Sequence, residues 1–154
     1  MSRATFYRRG VSRDQLVAAL TEKATEAFRA ALWPALIGTG TAAERLREAL
    51  EAMCATADRH LQLLSGVFLA RGELFPSIGP VALTMDVFTE PFERLLLDGV
   101  ADGTLREVPP TATATVLFNM VGLGYVHLRA EQHWAPQTAR RSVIDLILRG
   151  LVAS

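Results

Sequence analysis

Apolar residues recur along this chain at spacings of three and four, the period of an amphipathic α-helix and not of a β-strand. Ser12 followed by Gln15 has the pattern of a helix N-cap with a capping box. Pro34 and the glycines of 38–40 predict the end or a bend of that helix. Its apolar stripe consists of Leu16, Leu20, Ala24, Phe28 and Leu32. The pattern predicts an all-α fold with a long helix that begins at Ser12.

The same period continues to the end of the chain and predicts a helical bundle. Thr41 is the next N-cap candidate, and a break is expected near 56–58 because the run after it is long for one helix. Pro91 is expected to kink the third helix. The later helices are expected over about 42–70, 81–100, 111–131 and 137–152.

The two closing helices have features of an interface between subunits. The helix over 111–131 is apolar nearly all round, which indicates burial on several sides. Gly122 and Gly124 would allow another backbone to approach closely. We therefore predict a homodimer, with burial in a monomeric core as the alternative. The candidate interface residues are Leu117, Val121, Gly122, Gly124, Val143, Leu146, Ile147 and Leu151.

The charge distribution and the cysteine content indicate which partners and which cellular compartment to expect. The formal net charge is zero, but residues 1–13 carry four arginines and no acidic residue. A basic N-terminal segment followed by an acidic remainder is typical of a protein whose N-terminal segment binds an anion. Cys54 is the single cysteine, which favours a reducing compartment and a cytoplasmic location. The most apolar stretch, 115–128, is too short to span a membrane, and no secretory signal is recognisable.

Enzyme signatures are not found in the sequence. It contains no glycine-rich phosphate loop and no Gly-x-Ser-x-Gly elbow. His60, His127 and His133 lack the spacing of a helical metal site. We expect no catalytic activity, cofactor or metal, and a small helical enzyme is the least favoured hypothesis.

Bulky and adaptable side chains could line a pocket for a small-molecule effector. Ordinary core packing is the competing interpretation for each of them. The candidates are Trp33, Met53, Phe68, Met85, Phe88, Phe92, Met120, Tyr125 and His127.

The opening segment has the residue types of a DNA contact. A short helix over 2–9 would offer hydroxyl and guanidinium groups, which bond phosphate oxygens and guanine edges. Arg13 would add a cation at the start of the next helix, where free backbone N–H groups favour an anion. The candidate DNA-binding residues are Ser2, Arg3, Thr5, Tyr7, Arg8 and Arg13.

These residues carry a resemblance to a known family. The run Ser2-Arg3-Ala4-Thr5-Phe6-Tyr7-Arg8-Arg9, followed by Ser12-Arg13-Asp14-Gln15-Leu16, resembles the recognition helix and the start of the fourth helix in TetR/AcrR-type transcriptional regulators. The segment Ala101-Asp102-Gly103-Thr104-Leu105-Arg106 resembles the turn after the seventh helix of that family. The resemblance covers essentially the whole chain.

The resemblance implies an all-α homodimer joined by its last two long helices, with an effector pocket in each subunit. Residues 1–11 would be the remnant of a helix-turn-helix, and 12–154 the ligand-binding and dimerisation domain. The family's first two helices would precede Ser2, and Gly10 stands where a Phe is usual. The expected function is a ligand-responsive repressor, of which this chain alone binds operator DNA weakly or not at all. The alternative is a dimeric small-molecule-binding module without DNA-binding activity.

Overall fold

The structure is a computed structural model that describes residues 12–71 and 86–154, with side chains for 12–66 and 88–154. In those ranges the prediction of an all-α fold is confirmed, and a single isolated β-bridge joins Leu105 to Val152. The helices are α1 (Arg13–Ile37), α2 (Ala42–Arg59), α3 (Leu61–Arg71), α4 (Asp86–Ala101), α5 (Pro110–Asn119), a π-helix (Met120–Tyr125), α6 (Val126–Ala130) and α7 (Pro136–Leu151).

Helix α1 begins with the predicted capping box. The Ser12 N–H donates to Gln15 Oε1 at 2.9 Å, and the Gln15 N–H donates to Ser12 Oγ at 3.1 Å. The helix continues through Pro34 and ends at Ile37 with Gly38 as its C-cap, so the predicted end at the glycines of 38–40 is confirmed. The carbonyl that loses its partner to the proline belongs to Ala30, and both residues are exposed, so water can replace the missing hydrogen bond.

Helices α2 and α3 are separated by His60, slightly later than the expected break at 56–58. Thr56 explains the difference, because its hydroxyl donates to the Ala52 carbonyl at 2.9 Å and is accommodated within α2. At the other end, Thr41 and Glu44 form a second capping box.

One hydrophobic cluster fills the bundle, and α2 runs through it with neighbours on α1, α4, α7 and the π-helix. The most deeply buried side chains include Leu46, Leu50, Met53, Phe92, Leu95, Leu96, Val121, Tyr125 and Ile144. The buried stripe of α2 repeats every three or four residues, as its sequence predicts. Helix α2 is therefore the element against which the others are positioned.

The turn after α4 ties three helix ends together. Asp102 Oδ2 accepts a hydrogen bond from the Ala42 N–H at 2.7 Å, and the Thr104 hydroxyl accepts one from the Ala43 N–H at 3.2 Å, so the turn helps to cap α2. The Arg106 N–H donates to the carbonyl of Leu151 at the end of α7. Gly103 has φ +76°, a left-handed conformation that favours glycine.

The closing helix expected over 111–131 is interrupted by the π-helix, which separates α5 from α6. Gly122 is buried within the subunit and Gly124 is exposed, so the two glycines have different environments. Val116 and Leu123 are also exposed, so this part of the chain is not covered all round within one subunit, as the alternative of burial in a monomeric core would require. No helix in the described ranges is long and apolar enough to cross a membrane.

Candidate functional site

A polar cluster around Asp58 joins the end of α2 to the closing part of the chain. Asp58 Oδ2 accepts hydrogen bonds from the Tyr125 hydroxyl at 2.8 Å and from Arg140 at 3.1 Å. Asp58 Oδ1 accepts from Arg129 Nε at 2.7 Å. The Asp58 side chain is only 19% exposed, so these bonds are partly shielded from water.

The π-helix places Tyr125 in this cluster. Its wider turn inserts extra backbone into the helix, which rotates the residues after it relative to a regular α-helix. Tyr125 ends this segment fully buried, with its hydroxyl on Asp58. Burial, reinforced by the hydrogen bond and the charge of Asp58, raises the pKa of Tyr125 to about 12. The phenol is therefore a stable hydrogen-bond donor at neutral pH.

The cluster has more positive than negative charge. One carboxylate, Asp58, pairs with two guanidiniums, those of Arg129 and Arg140. Arg129 also donates to the carbonyl of Trp134, which is neutral. Arg140 Nε is buried and has no hydrogen-bond partner among the described residues. The two guanidiniums therefore carry positive charge and N–H donors that Asp58 does not fully balance and that could bind an anion.

A first cavity of about 390 Å³ lies beside the cluster, between α1 and the junction of α2 with α3. Its walls combine apolar and charged groups: Leu20, Lys23, Asp58, Arg59, His60, Leu61, Gln62 and Leu63. Leu16 and Leu20 of α1 are 38% and 40% exposed, so the first turns of this helix leave apolar surface open next to the cavity. We call this cavity the α1 groove.

A second cavity of about 290 Å³ lies between α2 and α7. It is lined by Arg47, Glu51, Gln137, Arg140, Arg141, Ile144 and Asp145. Arg140 contacts Asp58 and also lines this cavity, so the cluster borders both cavities. We call the second cavity the α2–α7 groove.

Cys54 is not a reactive group of either groove. It is fully buried, and desolvation raises the pKa of its thiol to about 12. The thiolate, which is the nucleophilic form, is therefore strongly disfavoured. The sequence-based interpretation of Cys54 as an inert buried thiol agrees with this environment.

The candidate effector residues do not meet around one described cavity. Met53, Phe88, Phe92 and Tyr125 are buried in the hydrophobic core, and Met120 packs against it from a partly buried position. Trp33 is 60% exposed on α1, and His127 is also exposed. The side chains of Phe68 and Met85 lie outside the described residues. The helical period predicts which residues share a face of a helix. It does not predict which helix faces border a cavity, so the pocket residues could not be identified from it.

The candidate dimer residues divide into two groups. Gly124 and Leu146 are exposed, and a Cβ on Gly124 would meet nothing within 4 Å. The remaining six are buried within the subunit: Leu117, Val121, Gly122, Val143, Ile147 and Leu151. Sequence reasoning missed the exposed Val116 and Leu123, because burial within one subunit and burial between subunits leave the same apolar pattern.

Of the candidate DNA-binding residues, Arg13 lies exposed in the first turn of α1. The others (Ser2, Arg3, Thr5, Tyr7 and Arg8) lie outside the described residues. Sequence reasoning also missed Asp58, Arg129 and Arg140, whose partners are distant along the chain. In the described side chains, no group of three or more His, Cys, Asp or Glu residues is arranged to hold a metal ion.

Comparisons with known proteins identify the fold alone. No protein-family model and no curated protein matches the sequence. A solved structure of a protein with unknown function from Rhodococcus sp. RHA1 is similar, with a TM-score of 0.71 and 19% identity over 99% of this chain and 84% of that one. The all-helical arrangement therefore also occurs in that solved protein.

Proposed function

We propose that this chain is the effector-binding and dimerisation part of a TetR-like, ligand-responsive transcriptional repressor. One observation carries the proposal: Asp58 lines the α1 groove and also bonds Tyr125, Arg129 and Arg140 in the closing part of the chain. A ligand in the α1 groove would therefore act on helices at both ends of the described chain.

The α1 groove is well placed to move the opening of the chain. Its apolar walls, with Lys23 and Arg59 beside the paired carboxylate Asp58, suit a small molecule with an apolar body and an acidic or hydrogen-bonding head. Helix α1 begins at Arg13, directly after the residues expected to contact DNA. A ligand that binds one position of α1 better than another shifts the population toward that position. Such a shift would change the separation of two DNA-reading segments in a dimer.

The closing helices supply a surface for the second subunit. Leu146 is 66% exposed on α7 and Val116 is 54% exposed on α5, although both helices also face the core. Exposed apolar residues on the closing helices are typical of an interface between copies. The resemblance of the opening segment to TetR/AcrR regulators supplies the DNA-binding part of the proposal.

The single lysine of the chain allows a direct test of the α1 groove. Lys23 lines it, and reductive methylation with ¹³C-formaldehyde labels this side chain and the amino terminus alone. Small molecules are screened for those that shift the Lys23 methyl resonance and raise the melting temperature. The variant Leu20→Arg should lose the response, and the matched variant Leu97→Arg, at another exposed apolar position, should keep it.

A ligand found in this way is then added to gel shifts with DNA flanking the gene. Weak, sequence-selective binding that the ligand reduces further supports the repressor, and tight binding would contradict the expectation that this chain alone binds operator DNA poorly. A dimer that binds the ligand and shows no binding to DNA favours the alternative, a module without DNA-binding activity. A ligand whose effects are unchanged in Leu20→Arg would place the effector elsewhere.

A further inference from the structure

The α2–α7 groove has an arrangement that the regulator proposal does not use. Gln137, Arg140, Arg141 and Asp145 follow one another at spacings of three, one and four on α7, so they share a face of that helix. Arg47 and Glu51 face them from α2 at a spacing of four. Two polar helix faces therefore border an open groove of about 290 Å³.

We propose that the α2–α7 groove binds a small anion bearing carboxylate or phosphate oxygens, held by the guanidiniums of Arg47, Arg140 and Arg141. A guanidinium offers a planar set of N–H donors that matches the oxygens of either group. The groove holds three arginines against two acidic side chains, Glu51 and Asp145. The inference does not depend on whether the chain regulates transcription.

The arginines differ in how much of their hydrogen-bonding capacity is used. Arg141 is exposed and forms no hydrogen bond or ion pair in the described structure. Arg47 contacts Asp145 at 3.5 Å, with both side chains well exposed, so the pair is weak and easily exchanged for a ligand. Arg140 is held in place by Asp58 at 3.1 Å, which fixes its guanidinium at the wall of the groove.

Charge behind the groove adds to the attraction. Asp58 is shared by Arg129 and Arg140, so it cannot neutralise both. Within the part of the chain that the structure describes, Arg140 Nε is buried without a hydrogen-bond partner. An anion near Arg140 would compensate this local surplus of positive charge. Ile144 also borders the groove but is buried, so the surface open to a ligand is mainly polar.

Calorimetric titration of the full chain tests the site, with inorganic phosphate and succinate as probes and sodium chloride at equal ionic strength as the reference. We expect saturable binding of at least one probe, and which probe binds distinguishes phosphoryl from carboxylate ligands. Arg141→Gln should weaken binding roughly tenfold, as expected for losing a charged hydrogen bond. Arg47→Gln should also weaken binding of the probe. Arg47 pairs only with the partly exposed Asp145 among the described residues, so its replacement should leave the core intact.

The control is Arg29→Gln on α1, which removes the same charge from an exposed position away from the groove. It should bind the probe as the unchanged chain does. Equal weakening by Arg29→Gln and Arg141→Gln would show a general charge effect and overturn the proposal. The absence of saturable binding by both probes would overturn it as well.

Discussion

The Tyr125 hydroxyl donates a hydrogen bond to Asp58 Oδ2 at 2.8 Å across 67 residues of sequence. This bond connects the π-helix to the end of α2, beside the junction where α2 gives way to α3. Tyr125 is fully buried and Asp58 is mostly shielded. The position of the π-helix and that of the α1 groove are therefore linked through one partly buried carboxylate.

Tyr125→Phe should lower the free energy of unfolding by about 1–2 kcal/mol, because it removes a hydrogen bond to a charged group and leaves the ring in place. Asp58→Ala should cost more, since it leaves two guanidiniums without their shared partner. Urea unfolding of the two single variants and of the double variant gives the interaction energy. Fully additive losses would show that the bond contributes no coupling.

Alkaline pH should destabilise the fold through two buried groups. Burial raises the pKa of Tyr125 from 10.0 and that of Cys54 from 9.0, each to about 12. The folded state therefore favours the protonated Tyr125 hydroxyl and Cys54 thiol. Their contribution to the free energy of unfolding is complete below the pKa values of the unfolded chain and is lost as the pH rises toward 12. We expect the urea midpoint to fall across this window.

The tyrosine part of this prediction has its own spectroscopic readout. In a Tyr7→Phe background, Tyr125 is the only tyrosine, and its phenolate absorbance can be followed alone. The midpoint should lie near 12 in the folded chain and near 10 in urea. A folded midpoint near 10 would mean that the hydroxyl is solvated and not held by Asp58.

Acid should weaken the start of α2. Hydrogen bonds from Thr104 and the Ala42 N–H lower the pKa of Asp102, and the hydrogen bonds of Thr41 lower that of Glu44. Groups with a lowered pKa contribute stability above their ordinary values, 3.8 and 4.5, and lose it as the pH falls through their folded values. Asp102→Asn should therefore flatten the acid limb of a urea-midpoint profile. An unchanged limb would show that Asp102 does not contribute to it.

Gly99→Ala should destabilise the turn that follows α4. The Leu105 side chain occupies the space where a Cβ would be, with the Leu105 Cβ only 2.8 Å away and the atoms beyond it closer still. Forcing a methyl group into packed space costs about 1–3 kcal/mol. Gly66→Ala is the matched control, because its Cβ would meet nothing within 4 Å among the described residues and alanine favours the helix. Leu105→Ala should relieve part of the Gly99→Ala loss, and additive losses would contradict the proposed clash.

The sequence predicted features formed by neighbouring residues better than contacts between residues far apart in the chain. The caps at Ser12 and Thr41 were predicted because both partners of each bond lie within three residues. Pro34 lies within α1, and the helix ends at the glycine signal four residues later, where the sequence predicts an end. The Asp58 cluster could not be predicted, since it requires knowing how α2, the π-helix and α7 cross. Hydrophobic periodicity predicts which face of each helix is buried, but not which other helices pack against that face.

Leu146→Arg should convert a dimer into a monomer. Leu146 is 66% exposed on α7, and a charge buried between two subunits without a partner would be strongly unfavourable. In a single subunit the same side chain faces solvent, so folding should be preserved. Light scattering should give twice the chain mass for the unchanged protein and one chain mass for the variant. Leu97→Arg, at a 57% exposed position on α4, should remain dimeric. A Leu146→Arg protein of unchanged dimer mass would show that the subunits meet through another surface, and a monomeric unchanged protein would contradict the dimer itself.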